Sequence, residues 1–369
     1  YIMTLYAVFG IGYSLAKSYE LDGLSGGILA ELGFLLTIIP SNIAAPNEAV
    51  LALAETSTEL ADYLATVPSG FVLPMGNLGS AGMFIGILVS FFAVEVYRFT
   101  QKSGFKISMP PQVPASVARS FESLTPTAIV LIVVATICMF LQIDVHGMIS
   151  KLIVPLVSAT DTLPSVLILV FLVTFFWSFG IHGVSIVGSI ARPLWLILIE
   201  ENTTAWAAGQ VIPNIGAEPF FQWFIWIGGS GATLALALLF AFRSKSAYGK
   251  ALGKTSLVPS IFNINEPMIF GAPIVLNPML IIPFIIAPMV NAIIAWLLTS
   301  AGMVGHVVAT APWTLPGPIG AFLACGNDWR AAVLSIGLIV LDLIIYYPFF
   351  KMYDKNLVEE EQNQEAEVL

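Results

Sequence analysis

Apolar runs of about the length of a membrane-spanning helix recur along the whole chain, and they admit few folds. A helix needs roughly 20 apolar residues to cross a bilayer core of about 30 Å. Stretches of that order occupy about 1–16, 26–45, 81–97, 125–142, 163–181, 183–199, 220–242, 274–299 and 331–350. No alternating ten-residue strand pattern accompanies them, which argues against a barrel and for an all-α membrane protein, a polytopic helical bundle. Hydrophobic residues make up 57% of the chain and charged residues 10%, too few charges to clothe a soluble domain. The net charge of −9 is set by loops and tail and gives no case for a nucleic-acid partner. Cys138 and Cys325, the two cysteines, sit in apolar runs, so neither a disulfide framework nor a metal cluster is expected, and no cofactor is called for.

The connections give the orientation. Residues 46–80 carry Glu48, Glu55, Glu59 and Asp62 without a Lys or Arg, as does 200–219 with Glu200, Glu201 and Glu218, marking both as exported. The loop 98–119 holds Arg98, Lys102, Lys106 and Arg119 with Pro110, Pro111 and Pro114, and reads as cytosolic and as a domain boundary. Arg243, Lys245, Lys250 and Lys254, and later Lys351 and Lys355, form further basic clusters. If 256–273 and 304–326 are re-entrant hairpins and the other runs cross, every basic cluster falls on one side and every acidic loop on the other. In 143–162, Asp144, His146, Lys151 and Asp161 interrupt the apolar pattern, as in an interfacial amphipathic helix. The expected division is a scaffold of spans at 1–142, a linker at 143–162, a transport domain at 163–357 and a disordered cytosolic tail at 358–369. The chain opens at Tyr1, without an initiator methionine and already inside an apolar run, so the natural amino terminus is expected to be missing.

Between two apolar runs lies F-N-I-N-E-P at 262–267. An ionisable group at the bilayer centre costs roughly 2.5–3.5 kcal/mol, so Glu266 needs a reason to be there. Pro267, Gly271 and Pro273 forbid an unbroken helix. Two readings follow: Glu266 caps a broken helix end or pairs with a distant Arg, or it serves a polar substrate. Two broken segments in one half of a transporter are a sequence pointer to a binding site.

F-N-I-N-E-P-M-I-F-G at 262–271, P-I-V-L-N-P at 273–278 and S-F-G-I-H-G at 178–183 resemble the signature runs of the membrane-embedded IIC permease subunit of the bacterial sugar phosphotransferase system, in its lactose/cellobiose/N,N′-diacetylchitobiose family. The resemblance covers nearly the whole chain. It implies a multi-pass protein of the bacterial cytoplasmic membrane, a homodimer joined through its amino-terminal spans, and a carboxy-terminal half that carries one disaccharide across by an elevator-like movement. A separate phosphorylated IIB protein would then phosphorylate the sugar at C6, so the chain is an enzyme only jointly with that partner. It also implies that Glu266 and His182 lie at the sugar.

The residue chemistry agrees with a sugar site. A disaccharide needs convergent donors and acceptors and an aromatic platform. Glu266 can accept from hydroxyls or act as general base, Asn263 and Asn265 can pair with neighbouring hydroxyls, and His182 can bind a hydroxyl, assist proton transfer, or be satisfied by the backbone. Trp177 and Trp313 are the stacking candidates, while Trp195, Trp206, Trp223 and Trp226 read as interfacial belt residues. His146 and His306 read as structural. Arg192, inside an apolar run, has three candidate partners: Glu266, a phosphate, or the interface. The competing function is a proton-coupled secondary transporter using the same Glu266 and His182 without phosphorylation; a channel or sensory scaffold fits less well.

Overall fold

The computed structural model describes residues 2–67, 69–110 and 112–368, so Tyr1 and Pro111 of the sequence reading lie outside the described residues. Two compact units divide at Ile153/Val154. Among the described residues five helices are long and apolar enough to cross a membrane: Ser80–Ser103, Val117–Phe140, Gly183–Ala207, Pro278–Ser300 and Trp329–Gln364.

In the first unit, α1 (Met3–Ser18) and α2 (Gly23–Leu35) are joined by a turn whose Asp22 caps α2, its carboxylate accepting from Ser25 N–H at 2.8 Å. The two helices pack backbone to backbone. A Cβ on Gly26 would lie 2.4 Å from that of Ala16, and one on Gly12 would lie 2.6 Å from that of Ala30. The expected exported segment 46–80 contains α3 (Glu48–Ala54), α4 (Thr58–Thr66) and β2 (Gly70–Val72), and β1 (Ser41–Ile43) precedes it, within the run 26–45 read as a span. The strands pair antiparallel, Ser41 opposite Val72, a small departure from the all-helical expectation. α5 (Met83–Ser103), α6 (Ala115–Glu122) and α7 (Leu124–Ala135) complete the unit around Val8, Phe34, Ala93, Val130 and Cys138. α8 (Val145–Thr160) covers the expected amphipathic stretch and leads into the second unit.

The second unit runs α9 (Leu163–Ser178), α10 (Gly183–Ala207), α11 (Glu218–Phe220), α12 (Leu234–Arg243), α13 (Ala247–Ile261), α14 (Glu266–Gly271), α15 (Pro278–Ser300), α16 (Gly317–Ala324) and α17 (Trp329–Val368). The run 220–242, read as one span, is broken here. After a π-turn at Phe221–Ile225 the chain loops through 226–233, with Gly228, Gly229 and Gly231 at φ of +81°, +98° and +82°. Hydropathy hides this break, because the flanks remain apolar. α13 reverses into α14 over four residues, with Asn263 at φ +62°. A second reversal returns through α16, where Ala324 O accepts from Val308 N–H at 2.7 Å and Ala309 N–H at 3.1 Å.

Two expectations are corrected. The tail from 358 is helical to Val368 rather than disordered. Its Glu361 accepts from Ser246 Oγ at 2.6 Å and from the N–H groups of Ala247 and Tyr248 at 3.0 and 2.8 Å, so the acidic side chain caps α13 instead of facing water alone. Trp195, Trp223 and Trp226 are buried in the unit's aromatic core rather than arranged as an interfacial belt; Trp206 is exposed.

Candidate functional site

α9 ends at Ser178, and the turn through Gly180, at φ +78°, delivers His182 as the N-cap of α10. His182 Nδ1 accepts from Ser185 N–H at 3.2 Å and lies 2.8 Å from Ser185 Oγ. A nitrogen that accepts a backbone N–H carries no proton, so in the neutral ring the proton is on Nε2. That Nε2 lies 3.9 Å from Glu266 Oε1. The two side chains are 48% and 47% exposed, open enough to meet a ligand. The separation exceeds a direct hydrogen bond, and a hydroxyl oxygen about 2.8 Å from each would sit at the apex between them.

The rest of the motif builds the frame. Asn263 Oδ1 accepts from Gly228 N–H at 2.9 Å, and its Nδ2 donates to the carbonyls of Trp313 at 2.7 Å and Leu315 at 2.9 Å. One buried amide thus ties the first reversal to the second and to the glycine loop. Asn265 Nδ2 donates to Ser230 O at 2.7 Å, and Trp177 Nε1 donates to Ser230 Oγ at 3.1 Å. Tyr346 of α17 holds the same loop from behind, donating to Gly231 O at 2.6 Å. A Cβ on Gly229 would come within 2.4 Å of Asn265, so only glycine fits that approach. Leu276 N–H donates to Ser178 O at 2.9 Å, fastening the segment after α14 to the end of α9.

The expected site residues therefore separate by position. His182 and Glu266 face each other. Trp177 is 3% exposed, with its ring centroid 4.5 Å from that of His182, and forms the wall behind the histidine. Trp313 is 56% exposed and lines a cavity of about 380 Å³ with Glu218, Gln222, Trp223 and Thr310. Asn263 has its amide occupied by three backbone groups, and Asn265 is buried against Ser230, so both act on the site through the backbone they hold. Arg192 pairs with Glu218, Nε and NH2 each 3.0 Å from Oε1, which settles its open partner and rules out Glu266. His146 lies in the first unit, its Nε2 2.8 Å from Thr37 Oγ1.

Gln222, Glu218 and the 228–231 loop were missed by sequence reasoning. The string G-G-S-G was the available signal, since three glycines in four residues do not suit a spanning helix.

Residues 1–288 match the family model for the phosphotransferase system EIIC component. The chain belongs to the phosphotransferase-system EIIC family. It is 38% identical to the cellobiose-specific EIIC component of Geobacillus stearothermophilus over 369 residues, covering 98% of this chain and 79% of that protein. It is 36% identical to the lactose-specific EIICB component of Staphylococcus aureus over 291 residues, 78% of this chain and 51% of that one. Its fold matches the crystal structure of ChbC, the IIC component of an N,N′-diacetylchitobiose-specific phosphotransferase system, with a TM-score of 0.87, 36% identity, and coverage of 98% of this chain and 82% of that chain. The EIIC chain is accordingly a multi-pass membrane permease component for sugar transport.

Proposed function

We propose that this EIIC chain binds one β-linked disaccharide at His182 and Glu266 and presents its C6 hydroxyl to a phosphorylated IIB protein on the cytosolic side. The observation that carries the reading is the half-exposed pair at 3.9 Å, each partner left with valence for a ligand while the side chains around it are fixed by buried hydrogen bonds. Cellobiose or diacetylchitobiose is the favoured sugar, with lactose next. The relatives' printed names support that group. Trp313, Gln222 and the Arg192–Glu218 pair would take the second ring.

In the transfer step the C6 oxygen forms a bond to phosphorus as the bond from phosphorus to the IIB donor breaks. The proton of the C6 hydroxyl passes to Glu266, and positioning in line supplies most of the acceleration. His182, donating from Nε2, orients the hydroxyl. Translocation would be elevator-like, with 256–273 and 304–326 as re-entrant hairpins, α8 lying at the interface and a homodimer formed through the amino-terminal spans in the bacterial cytoplasmic membrane.

The test is uptake of labelled cellobiose and diacetylchitobiose into vesicles with and without phosphorylated IIB. Sugar 6-phosphate formed only with IIB supports the reading. Unmodified sugar accumulated under a proton gradient, indifferent to IIB, refutes it in favour of proton coupling.

A further inference from the structure

Away from that site, α12 and α17 leave a groove of about 500 Å³ between them, its lining including Leu238, Phe242, Arg243, Val340, Ile344 and Tyr347. The lining is apolar except at Arg243, the last residue of α12, and the Tyr347 hydroxyl. Lys351 stands one turn beyond Tyr347 on the same face of α17 and is exposed. Among the described residues Arg98, Lys106, Arg119, Arg192, Arg330 and Lys355 each have an acidic partner, whereas no carboxylate forms an ion pair with Arg243 or Lys351, nor with the Lys245, Lys250 and Lys254 that follow Arg243.

We propose that this groove binds an anionic phospholipid, with an acyl chain along α12 and α17 and the phosphate on Arg243 and Lys351. A wholly apolar groove would accept any lipid tail; two unpaired cations at one end make it select by headgroup. The guanidinium fork matches phosphate oxygens in pairs, and its aliphatic stem lies along the apolar wall while the charge reaches the headgroup level. Arg243 opens the basic cluster that continues with Lys245, Lys250 and Lys254, the arrangement by which basic pockets between spanning helices take anionic headgroups. A second copy of the chain fits less well. The lining holds no acidic residue, so a self-complementary contact here would bury Arg243 without a counter-charge.

Native mass spectrometry of the intact chain, released from mixed micelles of phosphatidylglycerol and phosphatidylcholine with identical acyl chains, tests this. Phosphatidylglycerol should be retained preferentially, and Arg243→Gln should lower the preference about fivefold, the scale of one basic residue at a membrane surface. Arg243→Gln with Lys351→Gln should abolish it, and Arg243→Lys, which keeps the charge, should preserve most of it. Excess inorganic phosphate should leave the lipid bound. Equal retention of the two lipids by the unsubstituted chain, or a preference that survives the double substitution, overturns the proposal. So does displacement by phosphate alone, or a double variant that changes oligomeric state instead of lipid retention, which would assign the groove to a second copy. The lipid comparison on the unsubstituted chain and on Arg243→Lys decides the matter even where the double variant folds poorly.

Discussion

Asn263 offers the sharpest test of how the proposed sugar site is held. Its side chain makes three hydrogen bonds, to Gly228, Trp313 and Leu315, from a buried position, and its backbone sits at φ +62°. Side-chain bonds between membrane helices average about 0.6 kcal/mol each, while bonds in soluble proteins reach about 1.5, so losing all three costs roughly 2–4 kcal/mol. Alanine adds the left-handed backbone penalty of about 1–2 kcal/mol. Glycine loses the same bonds without that penalty, partly offset by the entropy of a looser unfolded chain, and should be more stable than alanine by roughly 0.5–1 kcal/mol. Aspartate keeps one acceptor but turns a carboxylate toward two carbonyls, and should be the worst of the three. Thermal unfolding in detergent should therefore rank Asn263→Gly above Asn263→Ala above Asn263→Asp. Sugar affinity should fall in every variant, since Trp313 loses its anchor. An alanine variant within about 1 kcal/mol of the native chain, or a glycine variant less stable than alanine, would show that Asn263 does not carry the junction.

Other outcomes follow from the same geometry. Glu266→Gln should leave unfolding unchanged and lower IIB-dependent sugar phosphorylation by about 10²–10⁴-fold, the usual scale for a lost general base; turnover near native would return Glu266 to a binding role alone. Trp177→Ala should destabilise by about 3–5 kcal/mol as a buried aromatic deletion, whereas Trp177→Phe should fold and lose only the Ser230 bond, with sugar affinity separating the two effects. Arg192→Gln breaks an exposed pair and should cost under about 1 kcal/mol of stability while weakening sugar binding, as read by titration calorimetry. The Ser25 hydroxyl and N–H hold the Asp22 carboxyl below the usual carboxylate range. Because the folded value is depressed, its stabilisation is present above the unfolded value and is lost as pH falls through the folded one. Asp22→Asn keeps the α2 cap and should flatten that acid limb of the stability profile.

The sequence made the membrane class legible because apolar runs of spanning length leave no soluble alternative; it singled out Glu266 because an ionisable group at such a position demands a reason, and His182 through the resemblance of 178–183, and the structure sets the two 3.9 Å apart. The sequence did not reveal the break at 226–233. Trp226, Ile227 and Leu234 keep the window apolar there, and a hydropathy average cannot tell a loop packed among helices from a helix. Nor did it show that Asn263 and Asn265 face inward. An amide in a broken segment has the same composition whether it binds a sugar or a carbonyl, and only the positions of Gly228, Ser230, Trp313 and Leu315 decide. Glu361 was read as a solvated tail because its partners, at 246–248, lie more than a hundred residues away.

The motif thus divides its work between neighbours. Asn263 and Asn265 have fixed partners in the glycine loop and the second reversal, while Glu266, next in the chain, faces His182 at a distance too long for the pair to satisfy itself. Had the two been closer, a direct bond would have to be broken before a hydroxyl could enter; had they been farther apart, one hydroxyl could not touch both. A frame whose Asn263 and Asn265 amides are held by backbone groups, with Glu266 and His182 left half-exposed, favours a ligand hydroxyl between that pair, and the frame's stiffness bears on orientation rather than on charge. Perturbing the frame at Tyr346, which is fully buried and supports Gly231 from α17, should therefore shift phosphorylation turnover with little change in its pH profile. Tyr346→Phe is the variant to measure: a changed pH profile at unchanged turnover would mean that the loop tunes the proton chemistry directly and that the separation of frame from reacting pair is wrong.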